Sequence, residues 1–153
     1  MIKIYGSDTD VALRVLILLS VVNYAMTVDR MVFCDFIVTY GGYFGISDEN
    51  LHGDNEYGFG ELAVRRRTMI RSVKYLVLQG LIRTVECDEG FSYGITDAGR
   101  EAAARFSSEY AKEYRNTVMK VFDAWGGSSD DELRDRIDRC SRGLRDYGGD
   151  DGW

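Results

Sequence analysis

The chain has 153 residues, of which 45% are apolar, and this is enough to bury the core of one domain with extensions. Its formal net charge of −6 and its pI of about 4.8 argue against a protein that coats nucleic acid indiscriminately, because phosphate binding needs clustered Lys and Arg. The single histidine and three distant cysteines, Cys34, Cys87 and Cys140, indicate no disulfide framework, zinc site or catalytic triad, and they fit a reducing cytosol.

The first predicted helix runs from Asp8 to Asn23 and is apolar on almost every side. The apolar run Val11 to Val22 contains Arg14 and is shorter than the roughly 20 residues that cross a bilayer. Acidic residues precede this run where a signal peptide needs basic ones. We therefore expect a cytoplasmic protein with no membrane partner, in which this helix is central to the core or partly faces a second subunit.

The second predicted helix begins after Thr27, a suitable N-cap, and covers Val28 to Tyr40 before two glycines end it. Asp35 lies in the middle of this otherwise apolar helix. A carboxylate in that position is more often exposed or paired with a cation than catalytic.

A long Gly-rich and acidic connection follows at residues 41–60. It does not match a calcium loop, because His52 and Phe59 stand where oxygen ligands are needed. Its alternatives are an acidic surface loop or a docking loop with aromatic and apolar anchors. Those anchors, candidate partner-interface residues, are Tyr43, Phe44, Leu51, Tyr57 and Phe59.

The third predicted helix is amphipathic and ends before Gly80, which suits a residue with positive φ. Its polar face is the most basic part of the chain, and it predicts binding to DNA or to an acidic partner. The candidate residues are Arg65, Arg66, Arg67, Arg71 and Lys74. Two other interpretations stay open: a solvated face with pairing inside the helix, or burial of Arg65 or Arg66 against an acid of residues 48–61.

Two short strands at residues 81–85 and 91–95, joined by a turn, predict a β-hairpin, after which Thr96 caps another helix. Helices followed by such a hairpin indicate a mainly α fold with a small β-hairpin, the winged helix-turn-helix. The hairpin tip is acidic at Glu86, Asp88 and Glu89, and this charge would repel phosphate.

The C-terminal part is predicted as one long helix from Asp97 to about Trp125, a flexible break at residues 126–129, and a short amphipathic tail helix from Asp130. The expected division is a domain of residues 1–125 and a tail of residues 126–153. The tail helix packs either on its own domain or on a partner. Further candidate partner-interface residues are Tyr110, Tyr114, Trp125, Leu133, Ile137 and Leu144.

Several short motifs together resemble the middle component of bacterial ABC-three-component systems, the group that includes Lamassu-type anti-phage defence. The likeness covers about Asp10 to Val118, and the tail is expected to lie outside it. The motifs are Ala12 to Leu19, Asp29-Arg30, Asp35-Phe36, Leu51-His52, Glu61 to Arg66, Gly80-Leu81-Ile82 and Tyr93 to Thr96. The resemblance implies a small non-enzymatic subunit that works with an SMC/Rad50-like ABC ATPase and a nuclease-type effector.

Two functions are therefore expected. The first is an accessory subunit of such an ATPase complex, with double-stranded DNA as a further partner of the basic helix. The alternative is a homodimeric winged-helix transcriptional regulator that reads duplex DNA with its third helix. An enzyme is not expected and no cofactor is predicted, since one histidine and scattered carboxylates assemble no nucleophile, base and acid set.

Overall fold

The protein is mainly helical with one small two-stranded antiparallel sheet. A computed structural model describes residues 8–53, 62–88 and 90–150, with side chains from residue 9 to residue 143 within those ranges. The elements are α1 (Asp8–Val22), α2 (Val28–Thr39), α3 (Leu62–Leu78), β1 (Ile82–Cys87), β2 (Gly90–Ile95), α4 (Asp97–Ala104), α5 (Glu109–Trp125) and α6 (Asp130–Asp150).

Helix α1 lies at the centre of the core and contacts α2, α3, α4, α5 and β2. Val15, Ile17, Leu18 and Leu19 are completely buried, because neighbouring elements cover this helix on several sides. The predicted central position of the first helix is confirmed.

The boundaries of α2 and α3 follow from local capping. The Thr27 hydroxyl accepts a hydrogen bond from the Arg30 N–H at 3.2 Å and begins α2, as predicted. Gly80 has φ of +72° and ends α3, while Leu81 N–H donates to Leu76 O and Gly80 N–H donates to Val77 O, each at 3.0 Å. These two bonds form a Schellman motif, which needs a residue that tolerates positive φ.

The predicted hairpin is present, and its register pairs Ile82 with Ile95 and Cys87 with Gly90. Met26, in the connection between α1 and α2, adds an antiparallel bridge to Tyr93 of β2. The two main-chain bonds of this bridge are 3.0 and 2.9 Å long. The hairpin is thereby attached to the helical core at the start of α2.

The prediction of a single helix over residues 97–125 is wrong, because the chain turns between α4 and α5. The Ser108 hydroxyl accepts a hydrogen bond from the Ala111 N–H at 3.1 Å and caps α5. Arg115 of α5 donates to the Ala103 carbonyl at 3.1 Å, so a carbonyl at the end of α4 has a partner outside its own helix.

The tail helix α6 packs on the same chain, against α2. Ser129 and Glu132 exchange two hydrogen bonds of 3.1 Å in a capping box, which confirms Ser129 as the cap. Leu133 and Ile137 are buried. Their side chains are therefore core residues of this chain, and the tail helix packs on its own chain, which is one of the two positions that the sequence left open.

The turn before α6 is held by one arginine of α2. Arg30 donates to Ser128 O at 2.8 Å and to Gly126 O at 3.2 Å, and it forms an ion pair of 3.0 Å with Asp130. The turn that the sequence predicted to be a flexible break is thus attached to the core helices.

Candidate functional site

The most unusual feature of the interior is a buried carboxylate shared by two arginines. Asp35 of α2 accepts hydrogen bonds from Arg14 Nε of α1 at 2.9 Å and from Arg65 Nη1 of α3 at 2.7 Å. All three side chains are buried. Because ions are costly to bury unless they are paired, this contact fixes the relative positions of three helices.

Two hydroxyl groups complete the polar contacts of this cluster. The Tyr114 hydroxyl of α5 donates to Asp35 Oδ1 at 2.7 Å. Arg65 Nη1 also donates to the Thr39 hydroxyl at 3.0 Å, and its guanidinium carbon lies 5.3 Å from the centre of the Phe36 ring. Four helices therefore meet at Asp35, and α3 is anchored there by a rigid, charge-assisted contact.

The cluster continues toward the surface through Tyr110 and His52. Arg14 Nη1 donates to the Tyr110 hydroxyl at 3.3 Å, and this oxygen lies 2.7 Å from His52 Nε2. The main chain of His52 is also held in place, because its backbone N–H donates a hydrogen bond to Thr39 O at 3.1 Å. A neutral imidazole fits this arrangement, since the tyrosine hydroxyl can then donate its proton to Nε2.

The pKa values reflect these surroundings. Burial opposes ionisation of Asp35, but Arg14 and Arg65 outweigh it and hold the pKa of Asp35 below its usual range. Burial, together with the charge of Arg14, lowers the pKa of His52 to about 3. Burial raises the pKa of Tyr110 to about 12. At neutral pH the cluster therefore contains an ionised aspartate, a neutral histidine and neutral tyrosines.

The cluster is built to hold helices together. Asp35 is enclosed and accepts several hydrogen bonds, so its oxygens face other side chains of the protein. Within residues 8–53, 62–88 and 90–150, no group of three or more His, Cys, Asp or Glu side chains could hold a metal ion. The arrangement explains how α3 is positioned.

The outward face of α3 is the second candidate site. Arg66 pairs with Asp29 of α2 at 2.8 Å, with both side chains about half exposed. Arg67, Arg71 and Lys74 are exposed, and Arg71 donates to the Thr68 hydroxyl at 3.4 Å. The basic face is therefore real, but it is formed by fewer arginines than the sequence predicted.

The same face also carries apolar side chains that sequence reasoning missed. Val64 is 53% exposed, Tyr75 55% and Leu78 83%. Their spacing of eleven and three residues places them on one side of a helix, but the sequence does not show whether that side faces the core.

Comparison with known proteins identifies the family. The family model for ABC-three component (ABC-3C) system Middle Component 2 matches residues 4–144. The chain belongs to this family. Neither the curated proteins nor the solved structures contain a match. The match includes most of the tail, so the expectation that the tail lies outside the family likeness is wrong.

Membership of the Middle Component 2 family makes the chain one component of a system with other components. The predicted kinship with a middle component is thereby confirmed. Among the helices of the described ranges, none is both long and apolar enough to cross a bilayer.

Several predicted interface residues of this Middle Component 2 chain are buried or form contacts inside the chain. Arg65 belongs to the buried cluster, so its side chain is absent from the basic face, and its acid is Asp35 instead of an acid of residues 48–61. Tyr114 is completely buried against the same carboxylate, and Tyr110 is partly buried beside His52. The aromatic spacing of α5 is that of a core helix.

The predicted aromatic anchors of the connection after α2 lie against the core. Tyr43 stacks on Tyr40 with ring centres 5.8 Å apart, and Phe44 contacts the Trp125 ring edge-on at 6.2 Å. Tyr40 is buried, and four side chains are partly buried against the core: Tyr43, Phe44, Leu51 and Trp125. Tyr57 and Phe59 lie outside the described residues, and Leu144 lies in α6 beyond the described side chains.

Proposed function

We propose that this chain is the non-enzymatic accessory subunit that bridges the SMC/Rad50-like ABC ATPase and the nuclease-type effector of a Lamassu-type anti-phage system. The observation that carries the proposal is the match to Middle Component 2 over residues 4–144. It is supported by the exposed face of α3, which is held in position by the buried Asp35 cluster. Such a surface suits recruitment of another macromolecule.

The proposal includes a winged-helix fold. The order α1, the bridge at Met26, α2, α3, β1 and β2 is the order expected for a winged helix, with the bridge as its first short strand. In this interpretation α3 occupies the position that the recognition helix has in DNA-binding winged-helix proteins, and the hairpin is the wing. The division into residues 1–125 and 126–153 stays a prediction, as does a cytoplasmic location.

The experiment is co-expression of the affinity-tagged chain with the other components of its own system. We expect the ATPase and the effector to be retained with the tagged chain after washing. Retention of neither component would contradict the accessory role. Turnover of any nucleotide or nucleic acid by the isolated chain would contradict the non-enzymatic assignment.

The second candidate is a homodimeric winged-helix transcriptional regulator. It is favoured by the exposed cations Arg67, Arg71 and Lys74 on a helix next to a hairpin. The exposed acids Glu86 and Asp88 near the hairpin tip count against it, because they would repel phosphate. A regulator would bind a palindromic duplex by itself, with affinity that falls steeply as salt is raised.

A further inference from the structure

The outward face of α3 combines cations and apolar side chains in one stripe. With 3.6 residues per turn, its six residues fall within about 60° on either side of Arg71. The stripe is about 21 Å long at a rise of 1.5 Å per residue. Its members are Val64, Arg67, Arg71, Lys74, Tyr75 and Leu78. We call this set the α3 stripe.

The orientation of the α3 stripe is fixed by the opposite side of the helix. Arg65 is bound to Asp35 at 2.7 Å, and Met69, Val73 and Leu76 are buried in the core. Rotating α3 to hide Leu78 would expose these core residues and leave Asp35 without one of its cations. The exposure of Leu78 is therefore imposed by the fold.

The charge on and around the stripe points to an acidic ligand. Arg67, Arg71 and Lys74 are exposed on α3, while the chain as a whole has a formal net charge of −6. A ligand with carboxylates would be attracted by the cations of this helix, whereas the net negative charge of the whole chain would repel it. Charge complementarity thus selects the sign of the partner.

The apolar members decide between DNA and protein. Phosphates gain nothing from Tyr75 and Leu78, and the wing that would follow the DNA backbone has exposed Glu86 and Asp88. A protein segment with apolar side chains flanked by Asp or Glu would bury the exposed Leu and Tyr and pair with the cations. Only such a protein segment would contact both the apolar residues and the cations of the stripe.

We propose that the α3 stripe is the docking surface for an acidic amphipathic segment of a partner protein within the same system. The inference rests on the proposed accessory function and deepens it by assigning the surface and the chemistry of its ligand. The apolar residues supply the contact area, and the cations set the orientation and exclude basic segments.

The test uses two stripe variants and two matched controls in the co-expressed system. Leu78→Ser removes the most exposed apolar side chain, and the double variant Arg67→Glu with Lys74→Glu reverses charge. As controls, Met119→Ser replaces an exposed apolar side chain of α5 and the double variant Lys112→Glu with Lys120→Glu reverses two exposed cations of α5. All changed residues are exposed, so the core contacts are kept.

The readout is the affinity of each variant for the purified component that co-purifies with the wild-type chain. We expect both stripe variants to bind at least about tenfold more weakly, as at an interface hot spot, while the controls bind like wild type. Unchanged binding by either stripe variant would overturn this inference and leave the accessory role intact. Capture of no component by the wild-type chain would overturn both.

A crosslinking measurement checks the chemistry of the ligand. Replacement of Tyr75 by the photoreactive residue p-benzoylphenylalanine places the crosslinker on the stripe, and the same replacement of Met119 is the control. We expect crosslinks from position 75 to a peptide with apolar residues flanked by Asp or Glu. Crosslinks to duplex DNA present in the complex, or to a basic peptide, would contradict the inference.

Discussion

Asp35 is the residue on which the position of α3 depends, because it pairs with Arg14 and Arg65 inside the core. Replacing it with Asn would leave two buried guanidinium groups without their carboxylate. We expect Asp35→Asn to lower the free energy of unfolding by about 3–5 kcal/mol, measured by denaturant titration.

The matched control is Asp29→Asn, which breaks the Arg66 ion pair on the surface. That pair is about half exposed on both sides, so its loss should cost at most about 1 kcal/mol. Equal effects of the two changes would mean that the buried cluster contributes no more than a surface pair.

His52 makes stability dependent on pH. Burial, together with the charge of Arg14, lowers its pKa from 6.5 to about 3. Between these values the unfolded chain binds a proton that the folded chain does not, so the free energy of unfolding falls as pH is lowered. The expected slope is at most about 1.4 kcal/mol per pH unit, and it vanishes above the unfolded pKa.

The measurement is a set of denaturant titrations from about pH 7 to about pH 4.5, a range above the titration of Asp35. Glutamine does not titrate, so the variant His52→Gln loses the contribution of this position and should show a flatter profile. A wild-type slope retained in His52→Gln would assign the pH dependence to other residues.

The sequence contained part of this cluster. Arg14 and Asp35 each stand as an isolated charge in an apolar helix, and such charges are usually paired. Their pairing could not be predicted, because Arg14 and Asp35 lie 21 residues apart on two different helices, and Arg65 and Tyr114 come from two more helices. The sequence leaves open whether Arg65 lies on the basic face or is buried against an acid, because it is next to Arg66 and Arg67 and spacing alone does not separate the buried side from the exposed side.

At the scale of single elements, the contact between α4 and the turn that joins α3 to β1 is close enough to require glycine. A Cβ built on Gly99 would lie 2.0 Å from Leu81 O. The gain in helix propensity from alanine is about 0.5–1 kcal/mol, and the overpacking outweighs it. We expect Gly99→Ala to lower the free energy of unfolding by about 1–3 kcal/mol. Gly127→Ala is the control, since its added Cβ meets nothing within 4 Å.

The attachment of α6 to α2 depends on its two buried apolar residues. Ile137→Ala removes part of that contact and should cost about 2 kcal/mol or more. Because α6 is otherwise covered by few elements, we expect amide hydrogen exchange in residues 130–143 to be faster in Ile137→Ala than in the wild-type chain, with a smaller change in the other helices. The exposed neighbour Asp138→Ala should leave exchange unchanged, and unchanged exchange in Ile137→Ala would mean that α6 is held by other contacts.

The boundaries of the elements were predicted where capping is local. Gly80, Thr96 and Ser129 each act on main-chain groups within a few residues, so the sequence contains the whole interaction. At the turn between α4 and α5, Ser108 offers a local cap, but the continuous aromatic spacing from Phe106 to Trp125 favours one helix. The Ala103 carbonyl at the end of α4 accepts a hydrogen bond from Arg115 of the following helix. Such a partner is visible only after the helices are packed.

At the scale of the whole molecule, the described residues combine a buried polar cluster in the core with the outward α3 stripe. The Asp35 cluster ties α1, α2, α3 and α5 together, and α6 covers α2. A small subunit with this construction presents a surface without having to reorganise, which lowers the entropic cost of binding. The proposed bridging role needs this property.

The most direct test of the bridging role is sedimentation of the purified ATPase and effector of the same system, mixed with and without this chain. We expect all three proteins to sediment as one complex, and the ATPase and effector to sediment separately when the chain is left out. Association of ATPase and effector without the chain, or sedimentation of the chain alone in the full mixture, would contradict it.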